Sequence, residues 1–382
     1  MESGNRIRQG HTVATDAREA VAAFHAQVAQ PEMAAVLFFC SPSYDLDVLA
    51  NEIKRHFPGV TAVGCTTAGE IGPEGYQTHS LSGVSFSSSE FVAEAGRFDA
   101  LQSFEMVAGR EFAEGLLENL VARQKTGNVF GMLLIDGLSM REEPVSHAFQ
   151  DGLGAVPMFG GSAGDDLKFE RTWVFHDGSF HTDSAVLLLL STSLPFHILR
   201  TQHFLADGER LVVTEVDAAR RIVREINGLP AVDEYARLIG VSPDKLVPDH
   251  FANWPVVVVI DGTDYVRSIQ HANPDGSLTF YCAIDDGVVL RVAHGVDLLK
   301  KTEAVLDEVE RELGGVEVML VCDCILRNLE VTRNGTKNEA GEMFKRHKAV
   351  GFSTYGEQVG GVHINQTLTG IAIGRAGGRN GG

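Results

Sequence analysis

Three times along the chain an apolar run of strand length gives way to a segment with helical spacing, and then to a second apolar run closing on a glycine-rich turn. The first copy reads AAVLFFC (34 to 40), DLDVLANEIKRHF and VTAVGCTTAGEI. Asp45 is placed to cap the helix, and Pro58-Gly59 to stop it. The second copy runs from VFGMLLIDG (129 to 137) through EEPVSHAFQDGLG to VPMFGGSAGDDL. The third runs from VEVMLVCDCIL (316 to 326) through KNEAGEMFKRH to AVGFSTYGEQVGG. Aligned on their turns, Gly64 to Glu70, Gly160 to Asp165 and Gly351 to Glu357 share the order Gly, hydroxyl, Gly, acid, with the second copy one residue shorter.

A β-rich segment follows each turn, and Asp177-Gly178 in the second is a two-residue hairpin signal. Residues 195 to 312 differ in pattern. They predict polar strands (HILRTQHF, ERLVVTEVD), a helix AARRIVREI, a helix AVDEYARLIG, further strands around Asn273-Pro274-Asp275-Gly276, and a long helix from about Leu298 to Leu313. The expected class is α/β, in two domains spanning 20–215 and 216–374, built from repeated strand-helix-strand units with mixed sheets. The first nine or so residues and the tail RAGGRNGG are expected to be unstructured.

Composition narrows the function. Of 382 residues, 44% are hydrophobic and 22% charged, as in ordinary globular proteins. A net charge of -19, from 51 acids against 32 bases, disfavours nucleic acid and anionic membranes as partners. No apolar run approaches the roughly 20 residues of a membrane span, and the N-terminus lacks a signal-peptide core, so a cytoplasmic location is expected. The five cysteines form no CxxC pair and read as buried reduced thiols, Cys322 and Cys324 facing one side of a strand and Asp323 the other.

The turns supply the candidate ligand-binding residues: Thr66, Thr67, Glu70, Ser162, Asp165, Ser353, Thr354 and Glu357. A turn with glycine at both ends and hydroxyls between can present backbone N–H groups and short donors to a small anion or metabolite. The same turn can equally be a structural device needing glycine for its backbone angles. GGSAGDD lacks the Lys-Ser/Thr of a phosphate loop, and Ser162 precedes strands rather than the helix of a nucleophile elbow, so no enzyme is expected. Asp136 and Asp323 end the first strands of their units, with Arg327 and Asn328 close behind; they either line a ligand site or cap turns. Among 14 histidines there is no HExxH or H-x-H pair. His79 and His363, placed comparably after their turns, lead as metal ligands, with His271 third.

The stretches VGCTTAGEIGPEGY, FGGSAGDDL, EINGLPAVDEYARLIG, YVRSI, CDCILR and GFSTYGEQVGGVHINQTLTGIAIG together resemble the FIST proteins, a bacterial sensory family of paired N- and C-terminal FIST domains. The resemblance covers about residues 20 to 374. It implies a cytosolic receiver of a small molecule that acts on a separate signalling partner such as a histidine kinase, because no segment remains for an output domain. GCTTAGEIGPEGY and VHINQT look particularly like the NosP group of haem-binding, nitric-oxide-sensing members. That implies haem as cofactor and His363, then His79, then His271 as axial ligand. Other members are thought to bind amino acids or related metabolites, for which the hydroxyl turns and their acids would form the pocket.

Overall fold

The computed structural model describes residues 6–123, 127–206, 208–260 and 262–375. By contact density it divides into two compact units. The larger takes the chain up to Arg200, Glu303–His363 and Leu368 onward; the smaller takes Thr201–Thr302 and Ile364–Thr367.

Within the larger unit each of the three copies begins with a parallel strand pair. Met33–Cys40 pairs with Thr61–Thr66, Asn128–Ile135 with Met158–Ser162, and Val316–Cys324 with Ala349–Thr354. A parallel pair needs a crossover. The first two copies use the helices Leu46–His56 and Glu142–Leu153; the third uses two, Ile325–Arg333 and Lys337–Arg346. Asp45 does cap its helix, accepting the Val48 N–H at 3.0 Å.

Three six-stranded sheets follow, and their order is cyclic. In each, an edge strand (Ile7–Thr12, Phe91–Asp99 or Phe196–Thr201) lies beside a return strand (Leu81–Ser87, Ser184–Thr192 or Leu368–Gly374), then the parallel pair. The sheet is completed by a hairpin from the next copy. Thr61–Thr66 takes Val174–His176 of copy two, Met158–Ser162 takes Glu357–Val359 of copy three, and Ala349–Thr354 takes Glu70–Gly72 of copy one. No copy can complete its sheet alone.

This exchange explains why the strand runs are apolar without alternation. One face of every sheet joins a shared core holding Leu37, Phe39, Met132, Leu134, Leu320 and Phe352, while the other, with Val36 and Phe38 or Leu133 and Ile135, meets helices. Strands covered on both faces read as continuous hydrophobic runs. All five cysteines are buried free thiols. Asp323, expected on the face opposite Cys322 and Cys324, is itself fully buried.

The smaller unit is a chiefly antiparallel sheet that includes Arg210–Asp217, Ile222–Ile226 and Val289–Val292, with the helix Ala231–Ile239 over Leu211, Val223 and Phe280. Two expectations need correction. AARRIVREI is not a helix: Asp217 caps a single 3-10 turn, Arg221 turns left-handed at φ 57°, and Ile222–Ile226 pairs as a strand. The β-branched Ile222, Val223 and Ile226 favour that outcome. The N-terminus is ordered from within the expected loose segment, because Ile7–Thr12 pairs with Leu81–Ser87 and buries Ile7. The tail beyond Arg375 lies outside the described residues.

Candidate functional site

The three turns meet. Thr66, Ser162 and Ser353 occupy one position in the three copies, and their N–H groups donate to the carbonyls of Trp173 (2.9 Å), Gly356 (2.8 Å) and Gly69 (2.7 Å). Two residues later, Ala68, Gly164 and Tyr355 donate to the carbonyls of Ser353 (3.1 Å), Thr66 (2.9 Å) and Ser162 (3.2 Å). Six backbone bonds thus close a ring in which every turn holds the next. Glycine is required just before it: a Cβ on Gly64, Gly160 or Gly351 would stand 2.6, 2.2 or 1.7 Å from a carbonyl oxygen of the paired strand. The sequence left these turns open as either ligand-presenting or structural; the ring consumes these N–H groups, so any recognition falls to side chains.

Glu70 and Glu357 hold corresponding places, fully buried, each accepting a hydroxyl three residues back, from Thr67 and Thr354. Glu70 also accepts the Ser80 hydroxyl at 2.6 Å and its N–H at 3.1 Å. Burial pushes its carboxyl up to about 7, outweighing these bonds. Asp165 has a different surrounding. Its carboxylate accepts the N–H groups of Phe169 (2.9 Å), Glu170 (2.7 Å) and Arg171 (2.9 Å), and the Tyr355 hydroxyl. Burial raises it, but the Tyr355 hydroxyl and these amides together hold it below the usual range.

Asp165 therefore anchors a strap. Within it Asp166, Leu167 and Phe169 all take positive φ (56°, 63° and 53°), a strained state for side chains of this size. Phe169 stacks on Tyr355 at 4.6 Å while remaining 46% exposed. Asp166, beside the anchor, accepts the Ser41 hydroxyl at 3.2 Å, and His79 Nδ1 lies 3.9 Å from it. Burial raises the Asp166 carboxyl as well, and it also raises that of Glu70 by charge repulsion.

The remaining candidates serve the scaffold. Asp136 accepts the N–H groups of Leu138 (3.0 Å) and Asp183 (2.6 Å), so it caps its turn. Ser353 Oγ accepts from Asn328 at 2.8 Å. Gln358 Nε2 donates to Ser162 Oγ at 2.9 Å and to His363 Nδ1 at 3.0 Å. Asp323 takes Arg327 Nε at 2.6 Å and the Tyr76 hydroxyl, inside the core. Ser41, Ser80, Asp166 and Tyr355 were not singled out in the sequence. Asp166 stands beside Asp165 in GGSAGDD, and Ser41 ends the first copy's central strand, as Asp136 ends the second's. Those were the available signals.

His79 and His363 are not counterparts, contrary to the sequence alignment. The residue two before each return strand's first shared position has positive φ, and it is His79 (54°), Asp183 (50°) and Gln366 (51°). His363 instead corresponds to Tyr76 and Phe180, in the second strands of their hairpins. His363 is buried with Nδ1 against Gln358, whereas His79 and, in the smaller unit, His271 are exposed. None of the three shows the half-open apolar setting that a haem axial ligand requires, so they do not fit that group. Among the described residues no group of three His, Cys, Asp or Glu is disposed to hold a metal ion.

The FIST N domain family model matches residues 34–229, and the FIST C domain model matches 231–360. The chain belongs to the FIST family. FIST domains are small-ligand sensor domains with a role in signalling, and the mixed α/β architecture is that of this FIST protein. No curated protein matches the sequence. Among solved structures it is similar to a cyanuric acid hydrolase from A. caulinodans, at 9% identity and TM-score 0.37 over 97% of this chain and 99% of that one. It is also similar to a chorismatase, at 8% identity and TM-score 0.34 over 89% and 93%. At these values neither likeness carries a functional argument. Among the described residues of this FIST protein, no helix is long and apolar enough to cross a membrane.

Proposed function

We propose that this FIST protein senses a small metabolite bearing a protonated amine, an amino acid or a close relative, at the polar hub beside the ring of turns. The observation that carries the proposal is Asp166. Its carboxylate is partly withdrawn from water and repelled by the buried Glu70, with a hydroxyl at 3.2 Å, a histidine at 3.9 Å and the charge of Lys168 as its polar neighbours. An ammonium group placed there replaces lost hydration and relieves the repulsion between two acids. The strained strap with Leu167 and Phe169 exposed supplies an apolar edge and a segment whose position a ligand can shift. The ligand is bound rather than turned over, and the signal passes in the cytoplasm to a separate output protein, a histidine kinase being the expected kind.

A thermal-shift screen across amino acids, amines and small carboxylates tests this. Stabilisation by amine-bearing compounds, lost in Asp166→Asn, is expected; a screen that is flat, or unchanged by the substitution, refutes it. Haem-based sensing of nitric oxide rests on resemblance alone, and an absorption spectrum after haem reconstitution, with or without a Soret band, decides it.

A further inference from the structure

The hairpin that completes the first copy's sheet leaves part of that sheet uncovered. Val174–His176 meets Thr61–Thr66 in two residue pairs only, Val174 with Cys65 and Phe175 with Gly64. Asp177 and Gly178 then turn away, both at positive φ (51° and 78°). The corresponding hairpin of the third copy goes further. It makes three pairs with the second copy, reaching Val359 with Phe159, and the Gly360 N–H then donates to Met158 O at 3.0 Å. Ala62 is the counterpart of Met158. Residues along a strand turn their main-chain groups to one side alternately, and Thr66 donates to Trp173 O on the hairpin side, so Gly64 and Ala62 face that side too. The Ala62 N–H and C=O therefore stand at a sheet edge with no strand beside them among the described residues, and Thr61 and Ala62 are partly exposed.

This edge lines a cleft of about 710 Å³, a volume in the range of ligand sites. A second edge lines the same cleft through Glu94 and Ala95, whose strand Phe91–Asp99 pairs only with Ser184–Thr192. A ring N–H of His176 donates to the Ala95 backbone and ties that edge to the hairpin. The buried Phe57 and Phe175 give the cleft apolar surface. Its charges are mixed. Arg123 pairs with Glu94 at 2.8 Å and Asp177 is 82% exposed, while Lys54 makes no ion pair among the described residues.

We propose that this cleft docks an extended segment of a partner polypeptide, which adds as a strand at Ala62 and turns an acidic side chain to Lys54. An unpaired main-chain donor and acceptor on a sheet edge form the template that strand addition uses. A simple anion meets Glu94 and Asp177 there, and a simple cation meets Lys54 and Arg123. A peptide answers all three features at once: its backbone serves Ala62, an apolar side chain covers Phe57 and Phe175, and one acid neutralises Lys54.

Selection of random heptapeptides displayed on phage against the full chain tests the site, with the enriched peptides remade in fluorescein-labelled form for polarisation titration. Saturable binders that carry an acid are expected. Ala62→Pro deletes the edge N–H at a position where a strand edge tolerates proline, and should weaken these peptides about tenfold or more while circular dichroism stays native. Methylating the peptide nitrogens one at a time should cause a similar loss at one position with the protein unaltered. Lys54→Ala should weaken binding roughly threefold. A selection that yields no saturable binder, binders without an acid, or affinity that survives both Ala62→Pro and every methylation would overturn the proposal. So would a concentration-dependent dimer abolished by Ala62→Pro, which assigns the edge to a second copy of this chain.

Discussion

Replacing Glu70 by glutamine isolates what it costs to bury an ionisable acid beneath the ring of turns. In the folded chain its carboxyl is pushed up to about 7 from an ordinary 4.5. Below pH 4.5 folded and unfolded chains both hold the proton, and the acid carries no penalty. Between 4.5 and 7 the unfolded chain ionises first, so stability falls as pH rises; above 7 the deficit is complete. A shift of this size corresponds to about 3 kcal/mol at 1.36 kcal/mol per unit. Glutamine does not titrate, and it can keep the same partners: Oε1 accepts from Ser80, and Nε2 donates to the Thr67 hydroxyl. The two proteins should therefore be similarly stable near pH 4.5 and diverge in favour of Glu70→Gln up to about pH 8. Paired urea titrations followed by circular dichroism at half-unit pH steps measure this, because groups not coupled to Glu70 cancel in the difference, leaving Glu70 and its repulsion with Asp166. A difference that is constant across the range would refute the protonation of Glu70.

Tyr355→Phe removes the hydroxyl that binds Asp165 and the Leu167 N–H (2.9 Å), and should cost about 1–3 kcal/mol, with faster amide exchange confined to Leu167 to Arg171. Asp323→Ala leaves Arg327 charged in the core and should cost about 3–5 kcal/mol in thermal unfolding. Gly351→Ala places a methyl 1.7 Å from Val321 O and should abolish soluble expression, while alanine at Gly154, which meets no atom within 4 Å, should cost only its unfavourable backbone angle.

The repeat was legible in the sequence because each copy carries the same local signals: an apolar run, a capped helix, and a glycine that only close strand approach explains. The exchange of hairpins was not legible. Val174–His176 and Glu357–Val359 look like local hairpins in sequence, and nothing in their residues says that their sheet partner lies in the preceding copy. The turn residues were found, but their main-chain role stayed open between ligand and scaffold, since an N–H exposed within one turn is covered only by the next. AARRIVREI misled because its arginines suit either state, and tertiary pairing with Arg210–Asp217 decided it. Asp166 was passed over because Asp165 filled the pattern; what distinguishes them is the strap folding back on Asp165 alone.

Titration calorimetry of the strongest amine ligand from the screen, in two buffers of different ionisation enthalpy, tests the sensor assignment most directly. An ammonium at Asp166 lowers the pKa of Glu70 through space, so binding at pH 7 should release a fraction of a proton, and Asp166→Asn should abolish both binding and release. Binding with no proton release, or binding that survives Asp166→Asn, would contradict the assignment of this hub as the ligand site.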